Sequence, residues 1–373
     1  MKIKYIFWDD DTGYGIAAKQ LITSLINNGI QVLKAGLKQS QHKPTEYQKQ
    51  EFHSESEVYD LVFIHTSPYY IGRHLESGKI NMAYCTWETT HLPQKWVQEL
   101  NKCTAVFVAS SFNKKYFEQS GVTRPIHILP HISEFNGEAD ALPLRKIHKS
   151  DFTFYSIGMW SERKNNLALM NAFSKAFSNG ESVNLIIKTS KKDYTKPGFD
   201  LFKRLGYTYY FNLDRVGQVS KLVKRDTRIH LLTGKWSSEQ IAQLHYSADC
   251  YISLCKSEGW GLGAYEAAWF GKPIIITGFG GQLDFLPPAY ATLLPYQLIN
   301  IKDQVWTEYN RESQEWANPD IDAAIQAMKE VYAHSSTYEQ QGKQLKQHVS
   351  EHFNANQIVK LFIQQLQSYI AIK

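Results

Sequence analysis

Long apolar runs are missing from this sequence of 373 residues. No stretch approaches the roughly 18 uninterrupted apolar residues that a membrane-spanning helix needs. The N-terminal segment MKIKYIFWDDD reaches three aspartates before the apolar core of a signal peptide could form. These absences argue against a membrane-spanning protein, and we expect a cytoplasmic one.

Cysteine is also scarce, with four in the chain. Cys85, Cys103, Cys250 and Cys255 form no CxxC pair, and no histidines cluster at the spacing of metal ligands. The sequence therefore supports neither a disulfide framework nor a zinc site. We expect four reduced thiols, most of them buried.

The chain carries little net charge as a whole, but one segment is strongly basic. The formal net charge is +5, whereas residues 188–228 contain eleven lysines and arginines against four aspartates. Aromatic residues are interspersed among these charges, which is compatible with binding to nucleic acid or to an anionic membrane. We favour a solvated insertion whose aromatic side chains pack on the domain beneath it. Nucleic acid is not an expected partner, and peripheral contact with an anionic membrane stays open.

Short apolar runs separated by amphipathic stretches recur along the chain. They are KIKYIFW, LVFIH, AVFVAS, FTFYSIG, VNLIIKT, IHLLT, CYISL and KPIIIT. This alternation is typical of βα units whose parallel sheets are buried on both faces. The predicted fold class is therefore α/β.

A polar segment divides the chain near residue 150. The segment EFNGEADALPLRKIHKSD has no clear period and contains glycine and proline, which favours a linker. We predict an N-terminal domain over residues 1–150, a C-terminal domain over residues 151–354, and an amphipathic helix over about 355–373. Two doubly wound domains that face each other would place the carboxyl ends of both sheets at one cleft, where such sheets bind ligands.

A glycine turn follows the first apolar strand and opens a helix. Gly13, Gly15 and Ala18 fit the G-x-G-x-x-A pattern of dinucleotide-binding proteins. The acid that would hold a ribose after the second strand is missing, and three aspartates before the turn would repel a pyrophosphate, so nicotinamide binding is disfavoured. We expect the turn to let some other ligand approach the backbone. The alternative is that these glycines serve only to make the bend between the strand and the helix.

The segment SEGWGLGAYEAAWFGKPIII sets Glu258 and Glu266 eight positions apart around three glycines. CYISL is predicted to be a buried strand, and GAYEAAWFG a helix that ends at a glycine. The backbone of Gly261, Leu262 and Gly263 then lies at the start of the helix, where free N–H groups and the helix dipole attract an anion.

The two glutamates flank this turn as hydrogen-bond acceptors. Ionised carboxylates accept hydrogen bonds from hydroxyls, so the pair suits a sugar at one end of a ligand and a ribose at the other. A helix N-cap and a surface charge on the helix are the alternative roles of Glu258 and Glu266.

These residues resemble the E-x7-E segment of retaining glycosyltransferases of the GT-B architecture, in particular glycosyltransferase family four. The resemblance implies two Rossmann-like doubly wound domains with a cleft between them and a C-terminal helix that crosses back to the N-terminal domain. It assigns the donor sugar to the first glutamate, Glu258, and the ribose of the nucleotide to the second, Glu266. It further implies a nucleotide-sugar co-substrate, a UDP- or GDP-sugar, with no metal ion or other cofactor.

A second segment, FTFYSIGMWSERKNNLALM, is similar to the strand, turn and helix whose basic residues hold the donor diphosphate in that family. Lys164 falls on the family lysine, with Arg163 beside it and Gly158 at the end of the strand. Met159 stands where the family usually has arginine, and Arg163 is a candidate for the missing charge. Fixed cations at this place would stabilise the charge on a departing nucleoside diphosphate.

The segment INMAYCTWETTHLPQKW is similar to a strand and cleft loop in the N-terminal half of the family. Glu88 lies near the point where family members often carry a histidine, which implies that it orients the acceptor or acts as a base. The alternative is that Glu88 is an entry residue of the following helix. His65, at the end of LVFIH, is a weaker candidate on the acceptor side. Residues 278–286 resemble the glycine-rich loop that closes over the donor.

The sequence thus predicts a retaining, metal-independent glycosyltransferase of glycan or glycoconjugate synthesis. The D-x-D within WDDDTG resembles a metal motif of the other glycosyltransferase architecture, but it precedes a helix at the start of a different fold. A GT-B-shaped protein that binds nucleotide sugars with little or no turnover is the alternative, because Met159 replaces an arginine and the histidine is absent. The acceptor is left open between a glycan, a lipid-linked molecule and a protein.

Overall fold

The computed structural model describes residues 1–39, 47–49, 58–133, 151–195, 217–303, 305–306 and 313–370. The chain divides into two compact units, Met1–Glu134 with Glu351–Lys373, and Phe135–Ser350. Nearly all of the predicted linker lies outside the described residues, as does much of the basic segment. The end of the chain belongs to the same unit as its beginning.

The first unit is built around a mainly parallel sheet. Its described strands are β1 (Lys2–Trp8), β2 (Gln31–Gln39), β3 (Tyr47–Lys49), β4 (Leu61–His65), β5 (Ile80–Tyr84), β6 (Ala105–Val108) and β7 (Ile126–Ile128), and its helices before the linker are α1 (Gly13–Asn27), α2 (Pro68–Ile71), α3 (Gln94–Leu100) and α4 (Ser111–Gln119). The strand order is β3-β2-β1-β4-β5-β6-β7, and β3 runs antiparallel to β2. Strands β4 and β6 are buried along their whole length, as expected for central strands covered on both faces.

The second unit repeats the βα alternation around a parallel sheet. Its described elements are β8 (Phe152–Ile157), α5 (Asn166–Ala176), β9 (Val183–Thr189), α6 (Gly217–Arg225), β10 (Ile229–Thr233), α7 (Ser238–Ser247), β11 (Cys250–Ser253), α8 (Leu262–Trp269), β12 (Ile274–Thr277), β13 (Thr292–Leu294), β14 (Tyr296–Asn300), β15 (Glu315–Pro319), α9 (Ile321–Ala333) and α10 (Ser335–His352). The sheet order is β10-β9-β8-β11-β12-β13, and β14 pairs with β15 as a separate antiparallel hairpin. The predicted α/β class is confirmed in both units.

The two faces of the second sheet are packed differently. Phe154 and Ile252 belong to an apolar cluster that includes Phe173 of α5. Tyr155 and Tyr251, directly opposite each other in the β8–β11 pair, point to the other face, because successive side chains in a strand alternate. At this pair the second face therefore carries two tyrosine hydroxyls, whereas the adjacent Phe154 and Ile252 on the first face are apolar.

A last helix, α11 (Ala355–Ile370), packs on the first unit. Phe362 is fully buried and meets the rings of Phe63 and Phe107 at centroid distances of 4.9 and 5.4 Å. Tyr369 Oη lies 2.7 Å from Nε2 of His127. Ile358, Val359 and Leu366 are buried on the same side of the helix as Phe362, whereas the side chain of Leu361 is 37% exposed.

All four cysteines are free and buried. No helix among the described residues is long and apolar enough to cross a membrane.

Candidate active site

The candidate site in the second unit lies where two neighbouring parallel strands end. Strands β8 and β11 pair in parallel, so the loops that leave their carboxyl ends meet at one edge of the sheet. The first loop carries Arg163 and Lys164, and the second carries Glu258. The fold therefore brings together side chains that lie more than 90 positions apart in sequence.

Glu258 is held by both cations. Arg163 Nη1 donates to Glu258 Oε2 at 2.9 Å and to the carbonyl oxygen of Ser257 at 2.6 Å. Lys164 Nζ forms an ion pair with the other carboxylate oxygen, Oε1. Glu258 is 8% exposed and Arg163 is 9% exposed. The cluster thus occupies a largely buried position with one positive charge in excess.

The protonation of this cluster follows from its geometry. Burial by itself raises the pKa of Glu258, but the charges of Lys164 and Arg163 and their hydrogen bonds outweigh burial and lower that pKa below its ordinary value. Glu258 is therefore an ionised acceptor at neutral pH. The arrangement can accept a hydrogen bond from a hydroxyl while it presents cationic groups to an anion.

Glycines fix the backbone around Glu258. Gly280 has a φ of +122°, and a Cβ there would lie 2.8 Å from the carbonyl oxygen of Glu258 and 2.9 Å from its nitrogen. The neighbouring Gly281 donates its N–H to that same carbonyl at 2.8 Å. The loop over residues 278–286, predicted to close over a ligand, thus also holds the first glutamate in place.

Gly158 makes room for Lys164. A Cβ at Gly158 would lie 3.2 Å from Cδ and 3.5 Å from Nζ of Lys164. The lysine stem therefore passes across the end of β8, which directs its ammonium group toward Glu258.

The start of α8 offers backbone donors beside this cluster. Its N-cap is Gly261, with a φ of +90° and no side chain to accept from the first N–H groups of the helix. Leu262 and Gly263 follow in the first turn. An anionic group is a suitable partner for such donors.

Gly263 is also required for packing. A Cβ at Gly263 would lie 2.8 Å from the hydroxyl of Tyr251 and 3.2 Å from the carbonyl oxygen of Ile157. Its absence lets the helix start approach the ends of β8 and β11 closely.

Glu266 belongs to a second cluster, whose other members the sequence reasoning missed. Its Oε2 lies 3.3 Å from Nε2 of His245 on α7, and Nδ1 of His245 lies 2.7 Å from the hydroxyl of Tyr155 on β8. His245 is fully buried, and Glu266 is 9% exposed. No motif marks these partners, because the contact forms only when α7 and α8 pack on the same face of the sheet.

The glycine turn of the first unit is tightly folded on itself. A Cβ at Gly15 would clash with the carbonyl oxygen of Asp10 and lie 2.5 Å from its Oδ1. Thr12 caps α1 by accepting from the Gly15 N–H, and its own hydroxyl donates to Asp10 Oδ1 at 2.5 Å. Gly13 is the first residue of the helix. Gly15 is thus needed for the fold of the turn itself, and the turn lies at the carboxyl end of β1.

The aspartates before this turn are engaged with neighbouring groups. Lys19 Nζ donates to the carbonyl oxygen of Asp10 at 2.9 Å and lies 3.2 Å from the carboxylate of Asp9. Across the described residues, no three His, Cys, Asp or Glu side chains come together as a metal-binding group.

Glu88 lies in the irregular segment that follows β5 and is half-buried. Helix α3 begins only at Gln94, with Pro93 as its N-cap, so the alternative that Glu88 enters this helix is wrong. Tyr14 lies close by: its hydroxyl donates to the Thr86 carbonyl oxygen at 2.7 Å, and burial, then Cys85 and Glu88, raise its pKa. Glu88 and the helix that starts at Gly13 are therefore neighbours at one edge of the first sheet.

His65 ends β4 and is buried. Its Nδ1 lies 2.8 Å from the hydroxyl of Tyr5, and its ring meets the ring of Tyr84 at 4.2 Å. Burial, and then His131, lower the pKa of His65 well below its ordinary value. His131, which the sequence reasoning did not single out, is also buried, and burial lowers its pKa to about 3. Both rings are therefore neutral at physiological pH.

Comparison with known families gives one match within the second unit. Residues 220–297 match the family model described as glycosyl transferases group 1. This range contains both glutamates, whereas Arg163 and Lys164 lie before it. By sequence, the chain matches no curated protein.

Solved structures resemble the chain over its full length. Sucrose-phosphate synthase from Thermosynechococcus elongatus has a TM-score of 0.71 at 14% identity, with 100% of each chain covered. Anabaena HepE in complex with UDP and glucose has a TM-score of 0.65 at 14% identity, with coverage of 99% of this chain and 100% of HepE. A glycosyltransferase from Rickettsia africae has a TM-score of 0.67 at 12% identity, with 98% of each chain covered. The chain has the GT-B fold, as the sequence predicted.

Proposed function

We propose that this protein is a retaining glycosyltransferase that moves a sugar from a nucleotide-sugar donor to an acceptor hydroxyl in glycan or glycoconjugate synthesis. The observation that carries the proposal is the carboxylate of Glu258 held between Arg163 and Lys164 at the strand ends of the second unit. The match to the glycosyl transferases group 1 model over residues 220–297 supports it.

Each group has a role that follows from its charge. Arg163 and Lys164 bind the donor diphosphate, together with the backbone of Gly158 and of Gly261, Leu262 and Gly263 at the helix start. Glu258 accepts a hydrogen bond from a hydroxyl of the transferred sugar. Glu266 accepts hydrogen bonds from the ribose of the nucleotide.

The proposed reaction keeps the configuration of the sugar. The bond between the anomeric carbon and the phosphate oxygen breaks, and the acceptor oxygen forms its bond to that carbon on the same face. The released phosphate oxygen takes the proton of the acceptor hydroxyl. Arg163 and Lys164 stabilise the negative charge that collects on the leaving diphosphate, a contribution of several kcal/mol in sites of this kind. No metal ion or other cofactor takes part in this proposal.

The donor proposed is a UDP- or GDP-sugar. HepE, whose fold this chain shares, is known in complex with UDP and glucose and with UDP-glucose. The cationic cluster recognises the diphosphate common to these donors, and the base is recognised elsewhere in the second unit.

We assign the acceptor to the carboxyl ends of the strands in the first unit. The turn at Gly13 and Gly15 and the carboxylate of Glu88 lie there, and Glu88 is suited to orient the acceptor hydroxyl or, in place of the phosphate oxygen, to take its proton. His65 is only a secondary candidate on the acceptor side, because its ring is buried and already hydrogen-bonded to Tyr5. The acceptor is a glycan, a lipid-linked molecule or a protein. The proposed location is cytoplasmic, and peripheral contact with the inner membrane face is the alternative to a solvated basic segment.

A GT-B-shaped protein that binds a nucleotide sugar without efficient turnover is the second candidate. Met159 favours it, because the position lacks the arginine that the family usually has. The two candidates share donor binding and differ in product formation. Detection of glycosylated acceptor, or of donor hydrolysis in its absence, separates them.

The first experiment is a calorimetric titration with UDP, GDP, ADP and their common sugar conjugates. We expect selective binding of one nucleoside diphosphate and its sugar. Lys164→Ala removes a charge-assisted contact to the diphosphate and should weaken binding about 10- to 100-fold. Lys175→Ala, at an exposed lysine of α5, is the matched control and should leave binding unchanged. If no nucleotide binds the wild type, the proposal is wrong.

A further inference from the structure

Three side chains from three elements form a buried chain of hydrogen bonds in the second unit. The hydroxyl of Tyr155 on β8 lies 2.7 Å from Nδ1 of His245 on α7. On the other side of the imidazole, Nε2 lies 3.3 Å from Oε2 of Glu266 on α8. The chain therefore connects the interior of the sheet to the second glutamate of the site.

The hydrogen-bond direction follows from which groups can donate. A carboxylate accepts hydrogen bonds and does not donate them, so the imidazole N–H that faces Glu266 is on Nε2 and Nδ1 of this tautomer is an acceptor. Burial raises the pKa of Tyr155 well above its ordinary value, so its hydroxyl keeps its proton and donates a hydrogen bond to Nδ1. Nε2 then donates to the carboxylate of Glu266, so both hydrogen bonds run in the same direction, from the Tyr155 hydroxyl through His245 to the carboxylate.

The imidazole is fixed on all sides. It stacks on Phe270 with a centroid distance of 5.2 Å and an interplanar angle of 13°, and Tyr155 meets it edge-on at 5.4 Å. Helix α7, which carries it, starts with a complete capping box between Ser237 and Gln240. A rigid donor at this place holds Oε2 of Glu266 and leaves Oε1 for a ligand.

Packing alone does not account for these polar groups. On the opposite face of the same strand pair, Phe154 and Ile252 fill the equivalent depth with apolar side chains. A buried hydroxyl and imidazole gain little over apolar groups in stability, because their desolvation offsets the hydrogen bonds that they form. What these polar groups add is orientation: each hydrogen bond fixes the direction of its partner, which an apolar pair would not do.

We propose that His245 and Tyr155 are positioning residues for Glu266: they hold its carboxylate in the orientation that recognises a hydroxyl of the nucleotide ribose. This inference rests on the proposed function, which assigns the ribose to Glu266. His245 and Tyr155 themselves do not touch the donor. They act through the carboxylate, in the way that outer hydrogen bonds orient the ligands of a metal site.

The test compares ribose with deoxyribose in binding. Calorimetry measures the dissociation constants of UDP, or of GDP or ADP if that is the base selected, and of its 2′-deoxy and 3′-deoxy analogues. The quantity of interest is the ratio of deoxy to ribo dissociation constants. A hydrogen bond from a hydroxyl to a carboxylate should give the wild type a ratio of about 10 or more for at least one analogue.

Four variants follow the chain of hydrogen bonds. Glu266→Gln removes the charge of the acceptor, His245→Phe removes the donor but keeps a flat ring beside Phe270, and both should bring the ratio close to 1. His245→Gln places an amide donor near the position of Nε2 and should recover part of the preference. Tyr155→Phe removes only the hydroxyl and should give an intermediate ratio.

The matched control is a histidine of the same sheet with a different partner. His230 on β10 lies 3.2 Å from Asn184 Oδ1, and His230→Phe should keep the wild-type ratio. Thermal unfolding of each variant establishes that it is folded, and a ratio taken within one variant is insensitive to a uniform loss of affinity.

The possible failures are distinct. If the wild type prefers the ribonucleotide and His245→Phe keeps that preference, the positioning role is overturned while the proposed function stands. If the wild type binds the nucleotide but does not distinguish ribose from deoxyribose, the inference is overturned together with the role of Glu266. If no nucleotide binds the wild type, both the inference and the proposed function fail.

Discussion

At the scale of single residues, the candidate site depends on a balance of charge around Glu258. The carboxylate neutralises part of the charge of Arg163 and Lys164, and all three side chains lie largely out of water. Breaking a buried pair by removing one partner leaves an uncompensated charge, which is more costly than the pair itself is stabilising.

Substitution of Glu258 should separate binding of the diphosphate from recognition of the sugar. In Glu258→Gln the two cations face the diphosphate without a competing carboxylate. We expect affinity for the nucleoside diphosphate to be kept or to rise a few-fold, while the additional affinity from the sugar and the transfer activity are lost. The free energy of unfolding should fall by about 3 kcal/mol. Titration with the diphosphate and with its sugar conjugate checks this, and loss of both in a folded variant would contradict it.

The buried histidines of the first unit should make stability depend on pH. His65 and His131 have lowered pKa values in the folded state, because burial disfavours the charged ring. Below the ordinary histidine pKa of about 6.5 the unfolded chain binds protons that the folded chain does not, so stability is complete above that pH and falls on acidification. Each ring contributes up to about 1.4 kcal/mol per pH unit.

The measurement is the thermal midpoint between pH 7.5 and pH 5. We expect it to fall as the pH is lowered, and His131→Gln should reduce the slope because one fewer proton is taken up on unfolding. His334→Gln, at an exposed histidine at the end of α9, is the control and should leave the slope as in the wild type. A slope that is the same in wild type and His131→Gln would show that His131 is protonated in the folded state.

At the scale of elements, the start of α8 depends on the glycine at position 263. Its backbone is not in the left-handed region, so the reason for glycine is the space occupied by the Tyr251 hydroxyl. Gly263→Ala should therefore lower the free energy of unfolding by about 1–3 kcal/mol and weaken nucleotide binding, since the helix start must move.

The double variant Gly263→Ala with Tyr251→Phe tests whether the Tyr251 hydroxyl causes this loss of stability. Tyr251→Phe removes the hydroxyl that a Cβ at position 263 would meet at 2.8 Å, and we expect it to restore part of the stability lost in Gly263→Ala. Gly180→Ala, at a glycine with no atom within 4 Å of the added Cβ, is the control. Additive losses in the double variant, measured by chemical denaturation, would place the strain elsewhere, for example at the Ile157 carbonyl.

The last helix gives a second test at this scale. Phe362→Ala removes a fully buried ring between Phe63 and Phe107, which should cost about 3–5 kcal/mol. The adjacent Leu361→Ala, at a side chain that is 37% exposed, should change stability by less than about 0.5 kcal/mol. Equal effects of the two substitutions on denaturant unfolding would mean that α11 does not pack as described.

The elements also show what sequence could and could not predict. Strands β1, β4, β6 and β8 to β12 were predictable because each is a short apolar run, whereas β3 (YQK) and β15 (EWANP) carry no such signal. Arg163, Lys164 and Glu258 were grouped through the resemblance to a known family, and the structure places them after strands whose carboxyl ends share one edge. His245 and Tyr155 carry no such signal, since their contact depends on how two helices pack on one face of the sheet. Gly15 and Gly263 were predicted to lie near a ligand, but neighbouring protein atoms already account for the lack of a side chain at both positions.

At the scale of the whole molecule, the fold is shared with glycosyltransferases at 12–14% identity. So low an identity preserves the order of elements but not the surface that selects an acceptor. The basic segment, residues 188–228, is the part of the sequence that departs most clearly from evenly mixed charge. Its described part includes the exposed Lys191 and three basic residues of α6: Lys221, Lys224 and Arg225.

Helix α6 limits how such a surface could meet a membrane. Its Val219 is buried, and Leu222 and Val223 pack against the apolar cluster of the second unit. The apolar side of the helix is therefore occupied by protein, so it is not available for insertion among acyl chains. Contact of α6 with a membrane would therefore be electrostatic, and we expect it to weaken steeply with salt.

Charge reversal in the loop after β9 tests this version of the membrane contact. Lys191→Glu with Lys192→Glu changes the net charge of the basic segment by four units, and it should reduce binding to vesicles that contain phosphatidylserine by more than about tenfold, at roughly 1 kcal/mol per basic residue. Lys329→Glu with Lys343→Glu makes the same change in net charge on α9 and α10 and should have a smaller effect. Vesicle sedimentation at low and physiological salt measures both. Equal vesicle binding by the wild type and the first variant would exclude membrane contact through this loop and favour a solvated basic segment.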